Sequence, residues 1–306
     1  MMPVLTKYIP AFLILGVVMV AGNTTSHAAQ YTKPYGELKE VQKFKDYTVR
    51  IYRNEKPPLD SDTNPDHRDG FGCFEILRSN QQVYYRAGVI FKVGSSVEDG
   101  EIDKDPVKMG LCILGDKEPD LVISERNSGN NYFCDFYVFR ISKTFKFMAR
   151  IKDSGGGEFK DLRGDGSFDL ITEDVLTFDG WNCCNAFSPY PTVILGYQNG
   201  RYLPDLEMMK KPAPSEQELK KMAATFRARF ADCKNDYIFE NWSAPYEMWG
   251  EMLDLIYSGN MKSAWRLCDL SWPTNYPGKA VFLKEFKKQL GTFKYYGAIK
   301  ELNHET

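Results

Sequence analysis

The feature that most constrains this chain is an internal repeat. Gly115-Asp116, followed by Asp120-Leu121-Val122, recurs 49 residues later as Gly164-Asp165, followed by Asp169-Leu170-Ile171. An acidic turn leading into an apolar strand, copied at fixed spacing, marks a supersecondary unit that must stack on its neighbours to bury its core. A hairpin pattern follows each copy. After the first, Phe136 to Ile141 and Phe145 to Ile151 flank a turn at Ser142-Lys143. In the second arm Phe145, Phe147, Ala149 and Ile151 alternate with Lys146, Met148, Arg150 and Lys152, which is the period of a half-buried strand. After the second copy, Val193 to Tyr197 and Arg201 to Leu203 flank Asn199-Gly200. Both turn residues tolerate positive φ, so this dipeptide predicts a tight hairpin. An eroded third unit lies upstream. Tyr47 to Tyr52 supplies its strand, and Phe74 to Arg78 and Val83 to Tyr85 supply its hairpin around Ser79-Asn80.

The pattern changes after residue 209. Lys210-Lys211-Pro212-Ala213-Pro214 reads as a linker. Ser215 with Glu218 is a capping box that opens a helix, along which Leu219, Met222, Ala223, Phe226 and Phe230 share one face. Pro245 opens a second helix with the stripe Met248, Trp249, Met252, Leu253 and Ile256, ended at Gly259. Met261 to Leu270, Ala280 to Leu290 and Tyr295 to Leu302 add three more. The expected fold class is therefore α+β. An all-β domain of about three strand-and-hairpin repeats spans residues 29–209, a linker spans 210–214, and an α-helical domain spans 215–306.

The first 28 residues stand outside this scheme. Lys7, the apolar run Ile9 to Ala21 and Ser26-His27-Ala28 have the order of a secretory signal peptide with a small-x-small cleavage site. Export to a periplasm or beyond the cell is the expectation, and no later stretch is apolar enough to span a membrane. Seven cysteines then become disulfide candidates: Cys73, Cys112, Cys134, Cys183, Cys184, Cys233 and Cys268. Cys233 and Cys268 lie alone in the helical part and are placed to staple two helices. A net charge of −2 is no nucleic-acid footprint.

The candidate site is Asp161-Leu162-Arg163-Gly164-Asp165-Gly166-Ser167-Phe168-Asp169. Alternate acids around a Gly-Asp-Gly turn supply the oxygen ligands that calcium, a hard cation, takes. Asp161, Asp165 and Asp169 would ligate through side chains, and Ser167 through its carbonyl. Arg163 occupies the remaining ligand position, and the competing reading is that its guanidinium replaces the ion. This segment resembles the FG-GAP/VCBS type of repeat found in calcium-binding β-propellers. That resemblance, over residues 40–207, implies propeller-like units and an extracytoplasmic binding or scaffolding surface.

Catalytic signatures are sparse. Of three histidines, His27 lies in the leader, leaving His67 in a polar loop and His304 near the last residue. A Ser-His-Asp or Cys-His site would rest on His67. Trp181, Phe187 and Tyr190 crowd a loop beside Cys183-Cys184, either as a contact patch or as packing against the helices. The expected function is a non-catalytic binding or scaffold module, needing no cofactor, with a protein or glycan partner in the envelope. The alternative is a carboxylate-dependent glycan hydrolase using acids such as Glu173 and Asp174.

Overall fold

The computed structural model describes residues 36–54, 71–94, 107–126, 133–175, 188–233 and 244–304. Its strands form three four-stranded sheets, each an antiparallel meander. Sheet one contains β1 (Glu37–Phe44), β2 (Tyr47–Asn54), β3 (Phe71–Arg78) and β4 (Gln81–Gly88). Sheet two contains β5 (Ile90–Val93), β6 (Asp120–Arg126), β7 (Cys134–Ile141) and β8 (Phe145–Ser154). Sheet three contains β9 (Glu158–Lys160), β10 (Asp169–Glu173), β11 (Thr192–Gln198) and β12 (Arg201–Pro204).

Each unit therefore has one strand more than the sequence pattern predicts. The added strands are β1, β5 and β9, the first of each sheet. The last two have four and three residues, too short for a visible period. β1, Glu-Leu-Lys-Glu-Val-Gln-Lys-Phe, is largely exposed and has no apolar alternation. The predicted turns are in place. Ser79, Asn80, Asn199 and Gly200 all have positive φ, which twists each two-residue turn to match its strands.

Sheet two is the middle layer. Along β6 and β7, Leu121, Ile123, Tyr137 and Phe139 face a core shared with Val49, Ile51, Phe74 and Ile76 of sheet one. Val122, Phe136 and Val138 face the opposite way, into a core with Leu170, Val193 and Leu195 of sheet three. A strand buried on both sides needs apolar residues at successive positions, so β6 reads as a continuous run.

The helices are α1 (Leu206–Met209), α2 (Glu216–Cys233), α3 (Tyr246–Tyr257), α4 (Met261–Ser271), α5 (Lys279–Leu290) and α6 (Tyr296–Leu302). The Ser215–Glu218 capping box forms: the Ser215 amide donates to Glu218 Oε2 at 2.7 Å, and the Glu218 amide donates to Ser215 Oγ at 3.3 Å. Trp249, Met252, Ile256, Leu267, Phe282 and Phe286 belong to the same continuous core as Leu170 and Val193. The boundary near residue 210 is thus a change of secondary structure and not a break in packing. No described helix is long and apolar enough to cross a membrane.

Cys268 is a buried free thiol in this core, and burial pushes its pKa up to about 12. The Cys233 side chain, the other half of the expected staple, lies outside the described residues. Cys73 and Cys134 are buried where their hairpins begin, and Cys112 is half-buried. Cys183 and Cys184 lie outside the described residues, as does the leader.

Candidate functional site

The acidic loop joins β9 to β10. Its geometry follows from what each carboxylate has to bond. Asp161 accepts from the backbone: Gly164 N–H at 2.7 Å and Asp165 N–H at 3.2 Å on one oxygen, Gly166 N–H at 2.9 Å on the other. These bonds curl the chain around Asp161, and Gly164 and Gly166 supply the positive φ that the curl requires. Asp165 accepts the Ser167 N–H at 2.8 Å and the Ser167 hydroxyl. Both bonds favour the ionised form and hold its carboxyl below the usual value. The loop is tied to the upstream copy through the Phe168 N–H, which donates to the Ile113 carbonyl at 2.8 Å.

Arg163 turns inward. Its Nη1 lies 3.0 Å from both oxygens of Asp169, and its Nη2 bonds Asp205. Asp205 also caps α1 by accepting the Met208 N–H at 3.1 Å. Three of the four predicted ligands, Asp165, Ser167 and Asp169, line one cavity of about 260 Å³, and Asp161 is not among its lining residues. Asp161 is committed to backbone, Asp165 to Ser167, and Asp169 to a guanidinium. This donor set does not fit a calcium ion as it stands, because a fixed cation already bonds the buried carboxylate. Among the described residues no group of three or more His, Cys, Asp or Glu side chains is placed to hold a metal.

The same device occurs in sheet two with different parts. Asp120, the counterpart of Asp169, bonds Arg140 Nε at 2.7 Å and accepts the Leu114 N–H at 3.1 Å. Arg140 also pairs with Asp116 at 2.7 Å. Burial raises the Asp120 carboxyl, against the pull of the Arg140 bond. Arg140 sits on β7 directly opposite Asp120. One step out from the Leu170–Leu195 pair of sheet three, the position opposite Asp169 is Gly196. A Cβ there would lie 3.2 Å from Asp169 Oδ1 and 3.3 Å from Asp205 Oδ2. Glycine leaves open the space into which Arg163 reaches. In sheet one the pair is Arg78 and Asp46, 2.7 Å apart at the surface.

Asp205, Gly196 and Arg140 were not legible as site residues. The one available signal was Asp205 as an N-cap immediately before Leu206-Glu207. Of the hydrolase candidates, Asp174 is 1% exposed. It accepts the Tyr257 hydroxyl at 2.9 Å and the Tyr295 N–H at 3.2 Å, and burial raises its carboxyl. It joins sheet three to the helices. Glu173, its neighbour at the end of β10, is half-buried. Tyr190 is half-buried just before β11. Trp181, Phe187 and His67 lie outside the described residues.

Two larger grooves lie elsewhere. One, of about 730 Å³, runs between residues 211–214, α2 and α3, and is lined by Met222, Leu255, Glu251 and Asp254 among others. Partial burial and the nearby Asp254 charge raise the Glu251 carboxyl. The other, of about 660 Å³, lies between β8, β12 and the segment opening α6. Set against models of protein families, curated proteins and solved structures, the chain matches none.

Proposed function

We propose that this chain is an exported, non-catalytic binding or scaffold protein, built from three propeller-like units fused to a helical half. The observation that carries the reading is the closure of the acidic sites. At the start of the second strand in sheets two and three, the carboxylate with the chemistry to hold an ion is neutralised by an arginine of the same chain. We take Arg163 to be the permanent cation of the loop, so that calcium is not required there. The open concave surface lies instead in the two grooves against the helices, which suits recognition of a protein or glycan in the envelope.

The hydrolase reading has one observation in its favour, the raised Glu251 carboxyl in the larger groove. A glycosidic bond needs its acid and base on opposite flanks. Glu251 and Asp254 lie about one turn apart on α3, on a single wall. That geometry favours binding over bond cleavage.

The test is crosslinking of the chain from residue 29 onward to its native envelope fraction, alongside a glycan-hydrolysis assay. A single stoichiometric partner with no turnover supports the binding reading. Turnover abolished by Glu251→Gln would replace it with the hydrolase.

A further inference from the structure

We infer that the groove between β8, β12 and the start of α6 docks an acidic segment of a partner protein, with apolar side chains spaced between its carboxylates. The inference rests on the binding function proposed above and gives that function a place and a chemistry.

Among the described residues, the charged groups lining this groove are Arg150, Lys152, Arg201 and Lys294, with no aspartate or glutamate. The chain as a whole carries a net charge of −2, so the local excess of cations does not reflect overall composition. Arg150 is balanced by Asp135, whose carboxylate it meets at 2.8 Å. Lys152 and Arg201 meet no carboxylate within ion-pair distance among the described residues. Lys294 reaches in from the helical half, where its Nζ donates to the Lys152 carbonyl at 2.6 Å and lies 4.9 Å from the centre of the Tyr295 ring. Lysines on an edge strand commonly serve only to block edge-to-edge pairing. That role accounts for Lys152 and Arg201. It does not account for a third cation brought to the same groove by a different layer of the fold.

The choice of occupant follows from the rest of the lining. Ile151, Leu203, Pro204 and Ala298 give the groove an apolar floor, and Leu203 is 42% exposed. An acidic glycan offers only the C–H faces of its rings to such a floor, whereas a peptide with alternating acidic and apolar side chains buries whole aliphatic groups against it. A lipid surface is flat, and this site is concave. β8 and β12 are the outermost strands of their sheets among the described residues, and β8 is bridged to a further segment only at Ser154–Asp174 there. The Lys152 carbonyl on β8 accepts from a lysine side chain of the helical half. Edge strands, apolar floor and converging cations together match an extended acidic peptide.

The experiment is fluorescence polarisation with a labelled, alternating Glu-Leu peptide of about ten residues. An alternating Lys-Leu peptide, polygalacturonate and phosphatidylglycerol vesicles are run in parallel. The expected result is saturable binding of the Glu-Leu peptide alone, weakened at least about tenfold by K152E/R201E and by high salt. Both residues are exposed, and an unchanged melting temperature confirms that the variant folds. Peptide binding that K152E/R201E leaves intact overturns the inference, as does polygalacturonate or vesicle binding that the peptide does not match. If the K152E/R201E variant still captures the envelope partner, the groove is wrong and the binding function stands. If neither partner nor peptide is bound, both fall.

Discussion

Sheets two and three meet the same requirement in different ways. Each begins its second strand with a buried aspartate, Asp120 or Asp169, and each neutralises it with an arginine. In sheet two the arginine is Arg140, fixed on the facing strand and 12% exposed. In sheet three the facing position is Gly196, and Arg163 arrives from the loop with 35% of its side chain exposed. A strand-borne arginine is held by the ladder that holds its partner. A loop-borne arginine is held by its own ion pairs, here to Asp169 and Asp205. The second arrangement keeps the outline of an ion-binding loop while filling it with a side chain.

The comparison can be tested by breaking each pair. The largest effect is expected for Asp120→Ala, which strips a charge partner from an enclosed guanidinium. It should cost about 3–5 kcal/mol in denaturant unfolding. Asp169→Ala should cost less, because each arginine keeps a second carboxylate but Arg163 is the more exposed and has access to water. Equal losses would mean that the origin of the arginine is irrelevant.

Arg163→Ser should cost about 1–3 kcal/mol, since it leaves Asp169 and Asp205 facing each other without a cation. It should also create a response absent from the parent, a rise in melting temperature with calcium. Adding Gly196→Arg should remove that response by restoring a guanidinium from the strand. A parent protein already stabilised by calcium would overturn the claim that Arg163 is the cation of the loop.

A smaller effect should come from Asp174, in comparison with its amide. Its folded carboxyl is raised above the unfolded value of about 3.9. Between those two values the native state holds the extra proton. The contribution of this group to stability therefore grows as pH falls through the window and is lost as pH rises through it. Relative to Asp174→Asn, the parent should become more stable as pH falls from neutral toward the unfolded carboxyl value of about 4. Thermal melts of the two proteins across that range read the difference directly. The smallest effect is expected at Arg78→Ala. Its pair with Asp46 lies in solvent, and the unfolding midpoint should not move measurably.

Much of the architecture was legible in the sequence because it rests on local signals. The 49-residue offset located β6 and β10, and Asn199-Gly200 placed the turn between β11 and β12. Ser215, Pro245 and Gly259 marked the ends of α2 and α3. The missing strands β1, β5 and β9 are recognisable only by what they pair with, which no window of sequence contains. The site was half legible for the same reason. Asp161, Asp165, Ser167 and Asp169 announce an acidic loop. Whether an ion or Arg163 fills it depends on Asp205 and Gly196, which join the loop only through the fold. Strands come first and helices after them, as an α+β chain requires, yet one core runs through both. Leu170 and Phe286 are members of one core, and apolar periodicity does not say which element a face will meet.

That common core has a consequence for how the molecule is made. The core begins with Val107 and is completed by Phe293, Ile299 and Leu302. Contacts so distant along the chain form slowly, because a long loop must close before any of them contributes. The middle strands leave the ribosome well before their last partners exist. Until β10 and β11 have been synthesised, the face of sheet two that bears Val122, Phe136 and Val138 lacks its cover of Leu170, Val193 and Leu195. For the whole of that interval, these apolar strands are available to chaperones.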